Sequence, residues 1–336
     1  MAIPSKAPRA LGQASIALLG LVVGLGLGYL AIRGVDWGGV AEALRSVPVS
    51  AVAAAVAVVL ASAWVRAWRW RVTFAHVPVA TFRLFQVENA ALGVNNLSPV
   101  RMGGEVVSLA ILALRDKVAV GAVLATIIMT RALDLTFTLL FIGVGILSAR
   151  ELTDLARPVA FVSVFAFAML IGLLNLRFIV RRVPMLARLP GVASFEEAIS
   201  KLWADRPRLA VTFGLTATYW LALAPAGFLL GQSMGIELSL FQFMLVVLGA
   251  VFFATATPGL PGAVGAFEFA VIQLLRLWDV PQDTALAYAI VLHLILFLPP
   301  IVIAGVVLPR EGVGSLAALR ERRRRLAEQR VEEAAA

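Results

Sequence analysis

The segment Asn95-Asn96-Leu97-Ser98-Pro99-Val100-Arg101-Met102-Gly103-Gly104-Glu105 lies between apolar runs of a 336-residue chain that is 61% hydrophobic. A Pro, a Gly pair, an Arg and a Glu do not suit a lipid-facing helix. At membrane depth, irregular backbone and charge survive only inside protein or beside a wet cavity. A second interruption reads Thr257-Pro258-Gly259-Leu260-Pro261-Gly262-Ala263-Val264-Gly265-Ala266-Phe267-Glu268. Pro99 and Gly103 have the spacing of Pro261 and Gly265, and the two sites lie 162 residues apart. Two matched breaks in one apolar chain point to a transporter built from a repeat.

The composition supports that class. Charged residues make up 15% of the chain, against about 25% in soluble proteins, and the mean hydropathy is +0.93. The chain reads as a polytopic helical membrane protein. It has no cysteine, which excludes disulfides and thiol ligands. Two histidines, His76 and His293, are too few for a haem or zinc centre built on imidazole. None of the three lysines follows a glycine, so there is no P-loop and no ATP-driven pump in this chain. No soluble segment exceeds about 30 residues, too few for a separate catalytic domain. The net charge of +9 is explained by the positive-inside rule rather than by nucleic acid.

Spans of about 20 apolar residues are expected at roughly 13–33, 50–70, 119–148, 158–180, 208–232 and 282–308. The first, with its basic start, is read as a retained helix rather than a cleaved signal. The stretches 80–114 and 238–278 are each broken in the middle and read as hairpins of two shorter helices. With a cytoplasmic N-terminus, cytoplasmic segments carry 22 of the 29 basic residues and external segments five, leaving Arg101 and Arg131 within the membrane. The asymmetry puts both termini in the cytoplasm. It also makes the first hairpin enter from the cytoplasm and the second from outside. Residues 1–149 and 157–308 then form an inverted-topology repeat within one membrane domain, 1–312, and a basic cytoplasmic tail follows at 313–336.

Several features read as structural. Gly20, Gly24 and Gly28 share a helix face suited to close packing. Trp64, Trp68 and Trp70 interleave with Arg66, Arg69 and Arg71, which reads as an interfacial belt with snorkelling cations. The run Arg322-Arg323-Arg324-Arg325 is a solvated topology signal or a helix lying on anionic lipid.

The polar residues at bilayer depth are Glu88, Asn95, Asn96, Arg101, Glu105, Arg131, Asp134, Glu268 and His293. Each needs a partner or a cavity. Arg131 and Asp134 are one turn apart and share a face. They either lock helices together as a pair or present Arg131 to an anion. Adding 162 to Arg131 gives His293. Arg101 stands before a helix restart near Gly103 and Gly104, where free N–H groups and the positive dipole end suit a phosphate or carboxylate. Otherwise it staples its hairpin to Glu88 or Glu105. A restart near Gly262, flanked by Pro261 and Gly265, offers a second such end. Glu105 and Glu268 fall in the first turns of the restarted helices, where a carboxylate favours the dipole.

At these residues the chain resembles the transmembrane region of the lysylphosphatidylglycerol synthase family. The resemblance rests on N-N-x-x-P-x-R-x-G at Asn95 to Gly103, R-x-x-D at Arg131 and Asp134, and P-G-x-x-G-x-x-E at Pro261 to Glu268. The motifs follow the family's order over roughly 12–308. The chain departs at Thr130, where an acidic residue often precedes the Arg. It departs again at Ala263, in place of a second Gly, and at Ser108, where a basic residue is frequent. These positions bear on substrate more than on fold. The resemblance implies translocation of a lipid without the aminoacyl-transfer enzyme.

The expected protein is an all-α integral membrane protein with six full transmembrane helices and two re-entrant helical hairpins. It would lie in the plasma membrane and move an anionic or head-group-modified lipid, or a polyprenyl-phosphate lipid, between leaflets. Arg101 and Arg131, with Asn95, Asn96, Gly103, Gly104, Pro261, Gly262 and Gly265, would bind the substrate. Glu88, Glu105, Asp134, Glu268 and His293 would balance charge or relay protons. No cofactor, metal or nucleic acid is expected; a second copy or a separate lipid-modifying enzyme is the expected protein partner. The competing readings are an intramembrane lipid-modifying transferase and a non-transporting partner of a glycosyltransferase.

Overall fold

Backbone hydrogen-bonding groups within a bilayer must be satisfied inside their own segment, which favours helices. The computed structural model is helical accordingly, with no strand among the described residues. Those residues are 7–74, 77–98, 103–148, 204–257, 260–312 and scattered positions between 164 and 201. They comprise helices α1 (Ala7–Ile32), α2 (Trp37–Ser46), α3 (Val49–Thr73), α4 (Thr81–Leu97), α5 (Gly103–Ala110) and α6 (Val120–Ser148). After them come α7 (Arg206–Leu221), α8 (Leu223–Ser233), α9 (Leu240–Ala256), α10 (Ala266–Arg276) and α11 (Gln282–Arg310). A π-turn, Ile111–Arg115, extends α5, and a 3-10 turn, Pro261–Ala263, precedes α10.

Four segments are long and apolar enough to cross a bilayer: Val49–Thr73, Val120–Gly145, Arg206–Ser233 and Gln282–Arg310. They coincide with four of the six expected spans. α1 and α2 make a fifth if they count as one, bent by 87°. Gly34, at φ +77, supplies the left-handed residue at that bend. The expected span 158–180 falls largely outside the described residues. The protein is thus an all-helical, multi-pass membrane protein.

The shorter helices begin and end where the chain's own chemistry dictates. Asp36 caps α2 by accepting from Gly38 N at 2.9 Å. Ser239 and Gln242 form a reciprocal capping box at the start of α9. α4 and α9 each have 17 residues, about 25 Å of helix and short of the bilayer core. Each is followed by a break and a second short helix that packs back on it. The expected restart near Gly262 is displaced: α10 begins at Ala266, and Pro261–Ala263 forms a separate tight turn.

The core lies where α8, α9, α10 and α11 meet α2 and α3. Phe243, Phe267, Tyr288 and Leu230 are fully buried there. α11 packs along α4, and Gly93 permits the approach, since a Cβ there would stand 2.4 Å from Pro300 O. α1 packs on α10 through Gly24 and Gly28. A Cβ on Gly265 would lie 2.4 Å from Gly24 O, and Gly265 has φ +86. The small face of α1 is therefore a packing face, as its spacing suggested.

Candidate functional site

Charged side chains on the inward faces of α3, α4, α5 and α6 enclose a cavity of about 470 Å³. Its walls are completed by α7, α8, α9 and α11, and Arg66, Glu88, Asn96, Glu105, Arg131 and Asp134 all border it. This gathering of charge is the main polar feature among the described residues of the helix bundle.

α3 contributes in a way its sequence disguised. Ser62, Arg66, Arg69 and Thr73 follow helical spacing and are all buried, with Arg66 9% and Arg69 1% exposed. Trp64 and Trp68 point outward from the same helix. The belt reading fails for the two arginines, which turn into the bundle, and for Trp70, which is 3% exposed and donates from Nε1 to Thr126 at 3.0 Å. The polar stripe Ser62, Arg66, Arg69, Thr73 was the available signal, masked by the alternation of Trp and Arg.

The partners are tertiary rather than local. Arg69 donates to Asp134 through both terminal nitrogens, and Trp220 Nε1 donates to the same carboxylate at 3.2 Å. Arg131 Nη2 donates to Glu105 at 2.7 Å. The expected Arg131–Asp134 pair is therefore split between two different helices. Spacing of i,i+3 permits that pair, but the buried Arg69 makes the stronger demand on Asp134. Glu88, expected near Arg101, lies 3.1 Å from Arg66 Nε. Arg66 and Arg69 also lie over the Tyr219 ring, at 5.6 and 5.3 Å, within cation–π range.

Not all of this capacity is used within the protein. Arg66 Nε and Nη2, Arg69 Nε and Glu88 Oε2 are buried without a hydrogen-bond partner. Arg66 Nε is close to Glu88 but not aligned to bond with it. A buried guanidinium and a half-buried carboxylate with one buried oxygen, each with unused capacity, thus border one cavity. Buried polar groups in this state are rare and call for a ligand or water.

The first break builds one end of this cavity. Asn95 accepts from Gly104 N at 2.8 Å and donates to Glu105 at 3.3 Å. Glu105 is therefore held by Asn95 and Arg131. Gly104 has its neighbour Ala91 O so close that a Cβ would lie 2.2 Å from it. Gly103 opens α5. Arg101, the foremost expected ligand, lies outside the described residues, as does Pro99.

Among the described residues of the second break, none lines the cavity. Pro261 is exposed, while Gly262 and Gly265 are buried. Glu268 caps α10 by accepting from Gly265 N at 2.7 Å. Its other oxygen lies 2.5 Å from His293 Nδ1, and His293 Nε2 lies 2.9 Å from Gly262 O. The structure thus brings Glu268, His293 and Gly262 together one layer behind the cavity. Asn96 and Phe297 separate them from it: Asn96 Nδ2 donates to Phe297 O at 3.1 Å, and Asn96 O is the nearest atom to a Cβ built on Gly262, at 3.5 Å. The end of α4 therefore meets the turn that precedes α10.

These features define a polytopic helical membrane protein with a charged cavity inside its helix bundle. The family model of the lysylphosphatidylglycerol synthase TM region matches residues 17–304, and the chain belongs to that family. No curated protein matches the chain.

Proposed function

We propose that this protein moves a phosphate-bearing lipid, anionic or head-group-modified, between the leaflets of the plasma membrane. The head group enters the cavity while the acyl chains stay in the bilayer. Arg66 and Arg131 receive the phosphate, together with Arg101 by its place in the sequence. Glu88, Glu105 and Asp134 balance the guanidiniums. The observation that carries this reading is Arg66, a buried guanidinium at the cavity wall with two nitrogens lacking hydrogen-bond partners. Holding a charge at bilayer depth costs about 2.5–3.5 kcal/mol on insertion scales, so a bound anion is a physical reason to keep it there. Membership in a family of transmembrane regions supports a role within the bilayer.

In this proposal α4 with α5, and α9 with α10, are re-entrant hairpins entering from opposite sides. The six spans and two hairpins form inverted repeats at 1–149 and 157–308. Both termini and the tail 313–336 are cytoplasmic. Alternating access comes from rocking one repeat against the other.

The test is leaflet exchange of a fluorescent phospholipid in proteoliposomes. Arg66→Lys keeps the charge and loses the planar fork. Exchange is expected to fall on the order of tenfold, with expression and thermal midpoint close to wild type. Unchanged exchange in a folded Arg66→Lys, Arg131→Lys double variant would remove the phosphate role. It would return the anchoring and transferase readings to equal standing.

A further inference from the structure

The contact between Glu268 and His293 cannot form without a proton. Gly262 O can only accept, so His293 Nε2 must carry hydrogen. Nδ1 then faces Glu268 Oε1 at 2.5 Å. Were the imidazole neutral and the glutamate ionised, a lone pair would meet a carboxylate oxygen at that distance. One further proton therefore lies between Nδ1 and Oε1, on either atom. Glu268 Oε2 is committed to Gly265 N at 2.7 Å, so the carboxylate cannot rotate away without uncapping α10.

We infer that Glu268 and His293 form a binding site for one exchangeable proton, and that its occupancy latches the turn Pro261–Ala263 against α11. The mechanical part follows from the same three bonds. When the shared proton leaves to water, the imidazole must turn to separate its lone pair from the carboxylate, and that turn breaks the bond to Gly262 O. The turn it holds is strained at Ala263, a residue with a Cβ at φ +59, while Gly262 takes φ +71 without cost. Loss of the proton therefore frees backbone that gains by relaxing. Asn96, at the end of α4, touches this turn, so the release reaches the cavity wall.

Among the described residues, the groups packed around the pair bring no second charge against it. α10 and α11 present the rings of Phe267 and Phe297, at 4.8 and 4.4 Å from the imidazole. α4 presents Asn96, and α1 meets Gly265 at the start of α10 through Gly24 and Gly28. On α9, Phe253 packs on Phe269 of α10. Along α11 the neighbouring titratable residues are Asp283 and Tyr288, and the Tyr288 hydroxyl is given to Gly227 O of α8 at 3.1 Å. α3 places Arg66 and Arg69 beside Glu88 and Asp134. α2 meets α11 at Gly39 and Asp283, near its start. The proton is thus held by Glu268 and His293 alone among these groups. Coupling of the site to lipid movement rests on the transport reading above; the site itself does not.

The test uses the full chain in nanodiscs. With His76→Gln, His293 is the one remaining imidazole, and its ring nitrogens are followed by nitrogen-15 NMR from about pH 5 to about pH 9. Hydrogen on Nε2 throughout the lower range, and loss of one proton as pH rises, is expected. In parallel, Ala263→Cys gives a single thiol in a chain that has none, at a position 1% exposed. Its maleimide labelling, taken at each pH relative to that of free cysteine in the same buffer so that thiol ionisation cancels, should rise on the order of tenfold across the same titration. Glu268→Gln donates an amide N–H to Nδ1 and still caps Gly265, so it should stay latched and lose the pH dependence. A neutral Nδ1–H imidazole at every pH, pH-independent labelling, or unchanged pH dependence in Glu268→Gln would overturn the inference. If titration and labelling behave as expected while no lipid exchange occurs under any pH gradient, the proton site stands and the transport reading falls. If exchange occurs while titration and labelling fail, transport stands and the proton site falls.

Discussion

The two broken regions, 81–115 and 240–276, use the same parts for different ends. Each has a 17-residue helix, a break, and a short helix with a carboxylate near its start. In each, that carboxylate meets a basic side chain on the long helix that follows: Glu105 with Arg131, and Glu268 with His293. The first pair borders the cavity with side chains 32% and 53% exposed. The second is sealed among phenylalanines, at 14% and 11%. Arginine keeps its charge at every relevant pH, whereas histidine changes near neutrality. One region is suited to hold a permanent charge beside a ligand. The other is suited to gain and lose a proton.

The permanent charges should dominate stability. Asp134 accepts from the fully buried Arg69 and from Trp220. Removing one partner of a buried pair leaves the other uncompensated, at a cost of about 3–5 kcal/mol. Asp134→Ala is therefore expected to show the largest loss, read as a drop in thermal midpoint and yield in detergent. An Arg69→Met, Asp134→Leu double variant should recover most of it. If Asp134→Ala is as stable as wild type, the charges on the inward face of α3 are not a structural staple.

The two short-helix carboxylates sharpen the contrast. Glu268→Ala removes a helix cap and the partner of a buried imidazole, for about 1–3 kcal/mol. Glu105→Ala breaks a pair that is open to the cavity, where solvent reduces the contribution to about 1 kcal/mol or less. The order should reverse for lipid exchange, because Glu105 holds Arg131 in place. Side-by-side melting and exchange assays check both orders. Equal stability losses would mean that the two breaks are not differently built.

Much of this was legible in the chain. Apolar runs of sufficient length gave the long helices, and Pro and Gly at matched spacing gave the breaks. The offset that joins Arg131 to His293 joins two residues that each hold a carboxylate of a short helix. What the sequence hid was which way a helix faces. Arg66 and Arg69 sit among tryptophans, a pattern equally suited to an interface, and only packing against α6 and α7 turns them inward. The partner of Asp134 was hidden for a related reason. A carboxylate within one turn of Arg131 satisfies a local rule, while the guanidinium that claims it is 65 residues away. Pro261, Gly262 and Gly265 looked equivalent to the first break, yet Gly262 and Gly265 meet His293 and Glu268 rather than the cavity charges.

The smallest expected effect concerns how the first region is fastened at its outer end. Arg83, near the start of α4, donates to Asp116 at 3.0 and 3.1 Å and to Glu311 at 2.5 and 3.1 Å. Arg115 donates to Glu311 and to Arg310 O. The network ties both ends of the first broken segment to the end of α11. The hydrogen bond from Arg83 holds the Glu311 carboxyl below its ordinary range, with Arg115 adding to it. A carboxylate with a lowered folded pKa stabilises above its unfolded value and loses that contribution as pH falls through the folded value. The fastening should therefore be intact at neutral pH. It should weaken only in acid below the ordinary carboxylate range, about 4.3. Pairs this near the surface contribute about 0–1 kcal/mol each. Thermal midpoints of wild type and Glu311→Gln should differ slightly near neutrality and converge in acid. A gap that persists below the carboxylate range would show that Glu311 acts through packing rather than charge. A gap that closes near neutrality instead would place a titrating group at the fastening of the first region, and the contrast between fixed and exchangeable charge would fail there.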